Sequence, residues 1–355
     1  MRRGYLDWVR GIAVVIMIEA HLIDSWTAAT WRDTQAFGWS ILIGGYGAPL
    51  FLFLAGLSVV LSAESKARKS GDPADASRIV ARRGLQLWLL AFLFRLQAVI
   101  LSWGSWRTML KVDILNIMGP SIAAAAALWG AVRSTRARYV LFASAAIATA
   151  VVTPPVRGFA PLAALPDPVE GYFRPIPGLT NFVIFPWMGF VFAGAAAGLA
   201  IEGAKTRQEE SRVNAILAVA AISLIAIGYG GSFLPSIYSN SNFWTSSPAY
   251  FAFRTGLLAL LVPLAYLWQL RPWPQRWSPL QQLGRSSLFI YWIHVEMIYG
   301  LMSLPLHKAL ALPHAFAALL VFAAAMVVVS MAKDSIVARY KGIRPSGTAR
   351  ASATS

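Results

Sequence analysis

The chain has 355 residues, 57% hydrophobic and 13% charged, with a mean hydropathy of +0.58. An ordinary soluble domain carries about 25% charged residues, so the composition excludes a soluble fold and calls for a bilayer as solvent. The formal charge of +16 does not imply nucleic acid, because the basic residues cluster between apolar runs, and the lack of cysteine excludes disulfides, thiolate nucleophiles and thiolate metal ligands.

The N-terminal Met1-Arg2-Arg3 precedes an apolar run in the manner of a secretion signal. Arg10, Glu19 and His21 interrupt that run, whereas a cleavable leader is uniformly apolar, so it is read as the first membrane helix. Spans of about 20 residues suffice to cross the hydrocarbon core. Ten are predicted, at 5–26, 37–62, 80–102, 113–133, 138–153, 180–203, 212–231, 249–270, 282–304 and 312–335. The expected fold is therefore an all-α polytopic membrane protein of about 10 transmembrane helices. One integral domain is expected over residues 1–335, with a basic polar cytoplasmic tail over 336–355.

Of the 31 lysines and arginines, 21 fall on the side of the N-terminus, among them Lys66, Arg68, Lys69, Arg133, Arg136 and Arg138. Six fall on the other side: Arg32, Arg107, Lys111, Arg157, Arg174 and Lys308. Arg10, Arg95, Arg254 and Arg285 lie within or at the edge of spans. This asymmetry places both termini in the cytoplasm and the chain in the cell (inner) membrane as a multi-pass protein. Tryptophans are expected as interfacial belts: Trp26, Trp31, Trp39, Trp103, Trp106 and Trp244 outside, and Trp268, Trp273 and Trp277 inside.

Residues 154–179 hold seven prolines, which argues against a regular helix there. Residues 232–248 are uncharged and rich in serine, asparagine and aromatics, a surface suited to sugar or simply to water. Gly194 and Gly198 form a small-xxx-small pair typical of helix packing. Gly45 and Gly47 complete no dinucleotide fingerprint, and no phosphate-binding loop occurs.

Ionisable residues inside a span are costly, so each is a functional candidate. The first helix carries Arg10, Glu19 and His21. Arg10 and His21 are close to three helical turns apart, so they share a face about 16 Å apart along the axis, while Glu19 faces elsewhere. Asp7 can pair with Arg10, and Asp24 can orient His21, each at i,i+3. The plainer alternatives are an Arg10 that snorkels to the interface and a His21 that bonds a neighbouring helix. The ninth span runs from Leu283 to His294, with Glu296 beyond. Asp113 and Asn116 open the fourth span. Arg95 and Arg254 can pair with acids, Glu296 among the candidates, or hold an anionic ligand. His307 and His314 lie in an outer loop. The four scattered histidines make no metal site.

Three segments together resemble a known superfamily. Leu6-Asp7-Trp8-Val9-Arg10-Gly11-Ile12-Ala13, running on to His21, is similar to the opening helix of transmembrane acyltransferases, with their Arg-x10-His spacing. Gly47-Ala48-Pro49-Leu50-Phe51-Leu52-Phe53-Leu54-Ala55-Gly56-Leu57-Ser58 resembles the second helix of the heparan-α-glucosaminide N-acetyltransferase catalytic family. The segment from Leu283 to His294 resembles the late helix of that family and of the acyltransferase type 3 family. The resemblance implies transfer of an acyl group, usually acetyl, from cytoplasmic acyl-CoA to a hydroxyl or amine of a sugar on the other side. His21, Arg10 and His294 would be its catalytic residues, with His21 as a general base on the acceptor or as a covalent relay of the acyl group. Asp7, Glu19, Asp24, Asp113, Asn116, Arg254 and Glu296 would line the substrates. Expected partners are acetyl-CoA as acyl-CoA donor, a saccharide or other envelope acceptor, the lipid bilayer and a second copy in a homodimer; no metal and no nucleic acid are expected. The lysosomal heparan-type enzymes carry a histidine after the first helix, in a His-x-x-Trp-Asn-Gly stretch. Here the corresponding Gln35-Ala36-Phe37-Gly38-Trp39 has none, and His21 follows the type 3 pattern. The competing class is a secondary transporter or exporter with Arg10, Glu19 and His21 as an ion-coupling relay.

Overall fold

The computed structural model describes residues 3–101, 105–239, 241–271 and 277–340. Its α-helices are, in chain order, α1 (Gly4–Trp26), α2 (Gln35–Gly44), α3 (Gly47–Ser70), α4 (Pro73–Leu101), α5 (Ile114–Ala131), α6 (Thr135–Gly158) and α7 (Asp167–Glu170). They continue with α8 (Ile184–Gly203), α9 (Arg207–Gly231), α10 (Phe243–Ser246), α11 (Pro248–Gln269), α12 (Pro279–Arg285), α13 (Ser287–Tyr299) and α14 (Leu312–Tyr340). Among the described residues no strand forms, only two isolated bridges. Trp103, Trp273, Arg276 and the tail residues from Lys341 onward lie outside the described residues.

Local signals explain the helix ends. Ser134, Ser247 and Ser278 cap α6, α11 and α12 through their side chains, satisfying N–H groups that have no partner within the helix. Thr206 and Glu209 close a capping box at the start of α9. Gly71, at φ +74°, ends α3 in the left-handed conformation that glycine adopts without penalty.

Among the described residues, eight helices are long and apolar enough to cross a membrane, with α2 and α3 counted as one run. Two of the ten expected spans are not among them. The first is α1, which has the length but carries Asp7, Arg10, Glu19 and Asp24. The other is the ninth, which breaks at Ser286 into α12 and α13. The lipid-facing surface is legible on α4, where Leu85, Leu89, Leu93, Leu96 and Ile100 are all exposed. Their spacing is one helical stripe, and an apolar stripe of that length is stable against hydrocarbon rather than water.

α6 runs on through Pro154 and Pro155 to Gly158, past the end expected from its prolines. Pro155 has no N–H to give the Val151 carbonyl. The Tyr238 hydroxyl donates to that carbonyl instead, at 2.9 Å. α14 likewise continues to Tyr340, beyond the boundary expected at residue 335.

The chain falls into two compact units, one from Met1–Gly44 with Trp273–Ser355 and one from Gly45–Pro272. In the first unit α1 packs on α2, α12, α13 and α14. The α1–α12 contact is backbone against backbone: a β-carbon on Gly11 would overlap the Leu280 carbonyl, and one on Gly284 the Asp7 carbonyl. In the second unit α3 packs on α8 through Gly194, where a β-carbon would overlap the Phe53 carbonyl, the close approach that small residues permit in membranes.

Candidate functional site

The first unit brings together two histidines 273 residues apart. His21, in the fifth turn of α1, places Nδ1 2.8 Å from Nε2 of His294 on α13. The rings stack with centroids 5.0 Å apart. His294 is fully buried, and its Nδ1 lies 2.8 Å from the Ile290 carbonyl one turn earlier.

These contacts fix the tautomers. A carbonyl can only accept, so Nδ1 of His294 carries a proton and donates to Ile290. With both rings neutral, Nε2 of His294 is then an acceptor. Nδ1 of His21 must donate to it, which leaves Nε2 of His21 with a free lone pair. The arrangement is a base whose proton-accepting nitrogen is set by the hydrogen bond at its other nitrogen.

One carbonyl of α13 also gathers donors from α1. Ile298 accepts from Trp26 Nε1 at 3.0 Å, Ser25 Oγ at 3.2 Å and Ser303 Oγ at 2.8 Å, with His307 Nε2 at 3.1 Å. Trp26 is thus a buried hydrogen-bond donor. The backbone adds bonds from Lys308 and Leu310 N–H to the Ser25 and Trp26 carbonyls, at 2.9 Å each.

Asp24 does not orient His21 as its i,i+3 position predicts. His21 gives its Nδ1 to His294, and the Asp24 carboxylate is engaged by Arg32 at 3.2 Å and by the Tyr299 hydroxyl at 3.3 Å. The Tyr299 ring meets His21 edgewise, centroids 5.7 Å apart. Glu19 turns to another face, against Gly44 of α2, where its Oε2 is buried and has no hydrogen-bond partner among the described residues. Glu296 stands two residues beyond His294 on α13, on a different face.

The other end of this unit is ionic. Buried Asp7 pairs with Arg10 at 2.9 Å and lies 3.8 Å from Arg285. Lys333 donates to Ser286 Oγ at 2.8 Å and pairs with Asp334 at 2.9 Å, and Gln282 donates to Asp334 at 2.7 Å. Arg285 and Lys333, unmarked as partners in the sequence, therefore join Arg10 in a cluster of three cations and two carboxylates.

Asp113, Asn116 and Arg254 belong to the second unit. Asp113 pairs with Arg95 and accepts from Asn181 at 2.7 Å. Asn116 accepts from the Asp113 N–H at 3.0 Å, capping α5, and donates to the Tyr172 hydroxyl at 3.4 Å. Trp88 donates to the same hydroxyl at 2.9 Å. These bonds tie α4, α5 and the segment before α8 together. Lys111, beside them, is held below the ordinary lysine range by burial and then by the charge of Arg95. Arg254 stands apart among aromatic rings.

At the end of this unit that carries the basic α3–α4 turn, a cavity of about 520 Å³ is lined by Glu64, Asp72, Trp129, Arg133 and Arg138 among others. Arg138 lies 3.9 Å above the Trp129 ring and pairs with Glu64 at 2.7 Å. Among the described residues no group of three or more histidine, aspartate or glutamate side chains is placed to hold a metal ion.

The family model described as heparan-alpha-glucosaminide N-acetyltransferase, catalytic, matches residues 2–229. The match takes in Arg10 and His21 and stops before α11 and His294. No curated protein matches the chain.

Proposed function

The chain belongs to the heparan-α-glucosaminide N-acetyltransferase catalytic family, a family of membrane acetyltransferases, and from that premise we propose the transfer it performs. Acetyl passes from cytoplasmic acetyl-CoA to a hydroxyl or amine of a saccharide or related envelope acceptor on the outer side of the inner membrane. The observation that carries this reading is the His21–His294 pair, which leaves Nε2 of His21 as an oriented base. Nε2 takes the acceptor proton as the acceptor oxygen or nitrogen bonds to the thioester carbonyl carbon. The C–S bond breaks, its electron pair leaves on the CoA sulfur, and that sulfur recovers a proton from the His21 imidazolium. The thioester is already activated, so the step needs no nucleotide hydrolysis. Arg10, with Arg285 and Lys333, offers charge to the phosphates of the donor.

His21→Ala tests the reading. Transfer of labelled acetyl from acetyl-CoA to the envelope glycan fraction falls to background, while the variant stays in the membrane at wild-type level. Transfer that persists in His21→Ala overturns the assignment. A carrier mechanism draws on one observation, the buried Glu19 Oε2 without a hydrogen-bond partner among the described residues. That reading requires Glu19→Gln to abolish substrate flux across sealed vesicles with no acetyl-CoA present.

A further inference from the structure

Arg254 sits six residues past Pro248, the first residue of α11, about 9 Å along the helix axis. Four rings of the second unit surround its guanidinium. The centroids of Tyr46 and Tyr250 are each 5.2 Å away, that of Trp187 5.5 Å and that of Phe190 6.0 Å. Tyr46 precedes α3, Trp187 and Phe190 lie near the start of α8, and Tyr250 near the start of α11. The opposite ends of α3 and α8 carry Arg68, Lys69 and, just past α8, Lys205, so by the charge asymmetry Arg254 lies toward the outer side.

Aromatic faces stabilise the flat faces of a guanidinium. They do nothing for its in-plane N–H groups, which need acceptors. One terminal nitrogen donates to the Gly45 carbonyl. Among the described residues Nε is buried and bonds to nothing, and no carboxylate pairs with the side chain. Arg95 and Arg138 of this unit each have a carboxylate, whereas Arg157 of α6 shares with Arg254 a buried Nε without a partner and a bond to a carbonyl, that of Phe185; the ring of aromatic faces distinguishes Arg254 from it. Arg254 has the walls of a cation site and lacks the anion.

We propose that Arg254 and its four rings form a binding site for an oxyanion, a carboxylate or phosphate group that accepts from the in-plane nitrogens while the body of its bearer rests on the rings. A guanidinium edge meets two oxygens of such a group at once, and tyrosine and tryptophan faces suit the apolar face of a sugar or the upper part of a lipid headgroup. An acidic saccharide and an anionic phospholipid offer the same chemistry here. The inference does not rest on acetyl transfer.

Purified full-length protein in delipidating detergent is titrated with glucuronate and with inorganic phosphate at constant ionic strength, with glucose as the neutral control. Binding is followed by calorimetry and by the thermal unfolding midpoint, which a native-state ligand raises. The wild type binds one or both anions saturably and does not bind glucose. Arg254→Gln binds at least tenfold more weakly, and Arg254→Lys, which keeps the charge but not the planar fork, falls between them. In a second arm, nanodiscs of phosphatidylcholine with or without phosphatidylglycerol are compared for lipid retained through purification. Retention of phosphatidylglycerol by wild type and not by Arg254→Gln assigns the site to lipid, and binding of the soluble anions assigns it to a solute. Equal binding by wild type and Arg254→Gln overturns the proposal, as does a wild type that takes neither soluble anion nor anionic lipid. If Arg254→Gln does not fold, the lysine variant decides: binding as tight as wild type by a folded Arg254→Lys overturns the two-point contact.

Discussion

Replacing His294 by alanine removes the acceptor that holds the Nδ1 proton of His21. The His21 ring is then free to take either tautomer and to turn. We expect kcat for acetyl transfer to fall about 10²-fold, the lower end of what a placed base contributes, with KM for acetyl-CoA unchanged, because no donor contact is lost. His294→Gln keeps an acceptor oxygen and recovers part of the rate. A His294→Ala enzyme with wild-type kcat would show that the tautomer does not matter. Part of this site is legible in residue spacing. His294 and Ile290 are one turn apart, and a buried imidazole on a helix has the i−4 carbonyl within reach. Arg10 and His21 share a face because α1 is unbroken. Asp24 shows what spacing misses: Arg32, a cation, and Tyr299, from the far end of the chain, take its carboxylate.

At the scale of elements, the seam between α1 and α12 sets where Asp7, Arg10 and Arg285 meet. Gly284→Val places a branched side chain against the Asp7 carbonyl, and the helices must separate. The expected cost is about 1–3 kcal/mol, read as a lower unfolding midpoint in detergent. Gly203→Ala is the control, since a β-carbon there meets nothing within 4 Å. An unchanged midpoint for Gly284→Val would mean the seam yields freely. Long apolar elements such as α4, α9 and α14 are plain in the sequence because hydrocarbon alone selects their residues. The break in the ninth span is not, because Gly284-Arg285-Ser286 is set by what α12 touches on α1 and by Lys333 reaching Ser286 from α14. The run of α6 through two prolines is hidden for the same reason: the donor that makes Pro155 tolerable is Tyr238, far along the chain.

At the scale of the whole molecule, charge asymmetry predicts a testable orientation. The sequence has no cysteine, so a single introduced thiol reports without background. Ser70→Cys and Ser239→Cys are both at exposed positions. With an impermeant maleimide, the cysteine at 239 reacts in intact cells and the one at 70 only after the membrane is opened. The reverse pattern would invert the topology and with it the sides assigned to donor and acceptor. The distance between the two histidines along the chain has a further consequence, in time. At roughly 5–20 residues per second of synthesis, the 273 residues that separate His21 from His294 take about 14–55 s to appear. During that interval α1 has its own Asp7–Arg10 pair, three residues apart and able to close at once, but His21 has no partner to fix its proton. Under the proposed mechanism, a polypeptide released before α13 emerges therefore carries His21 without the hydrogen bond that sets its tautomer.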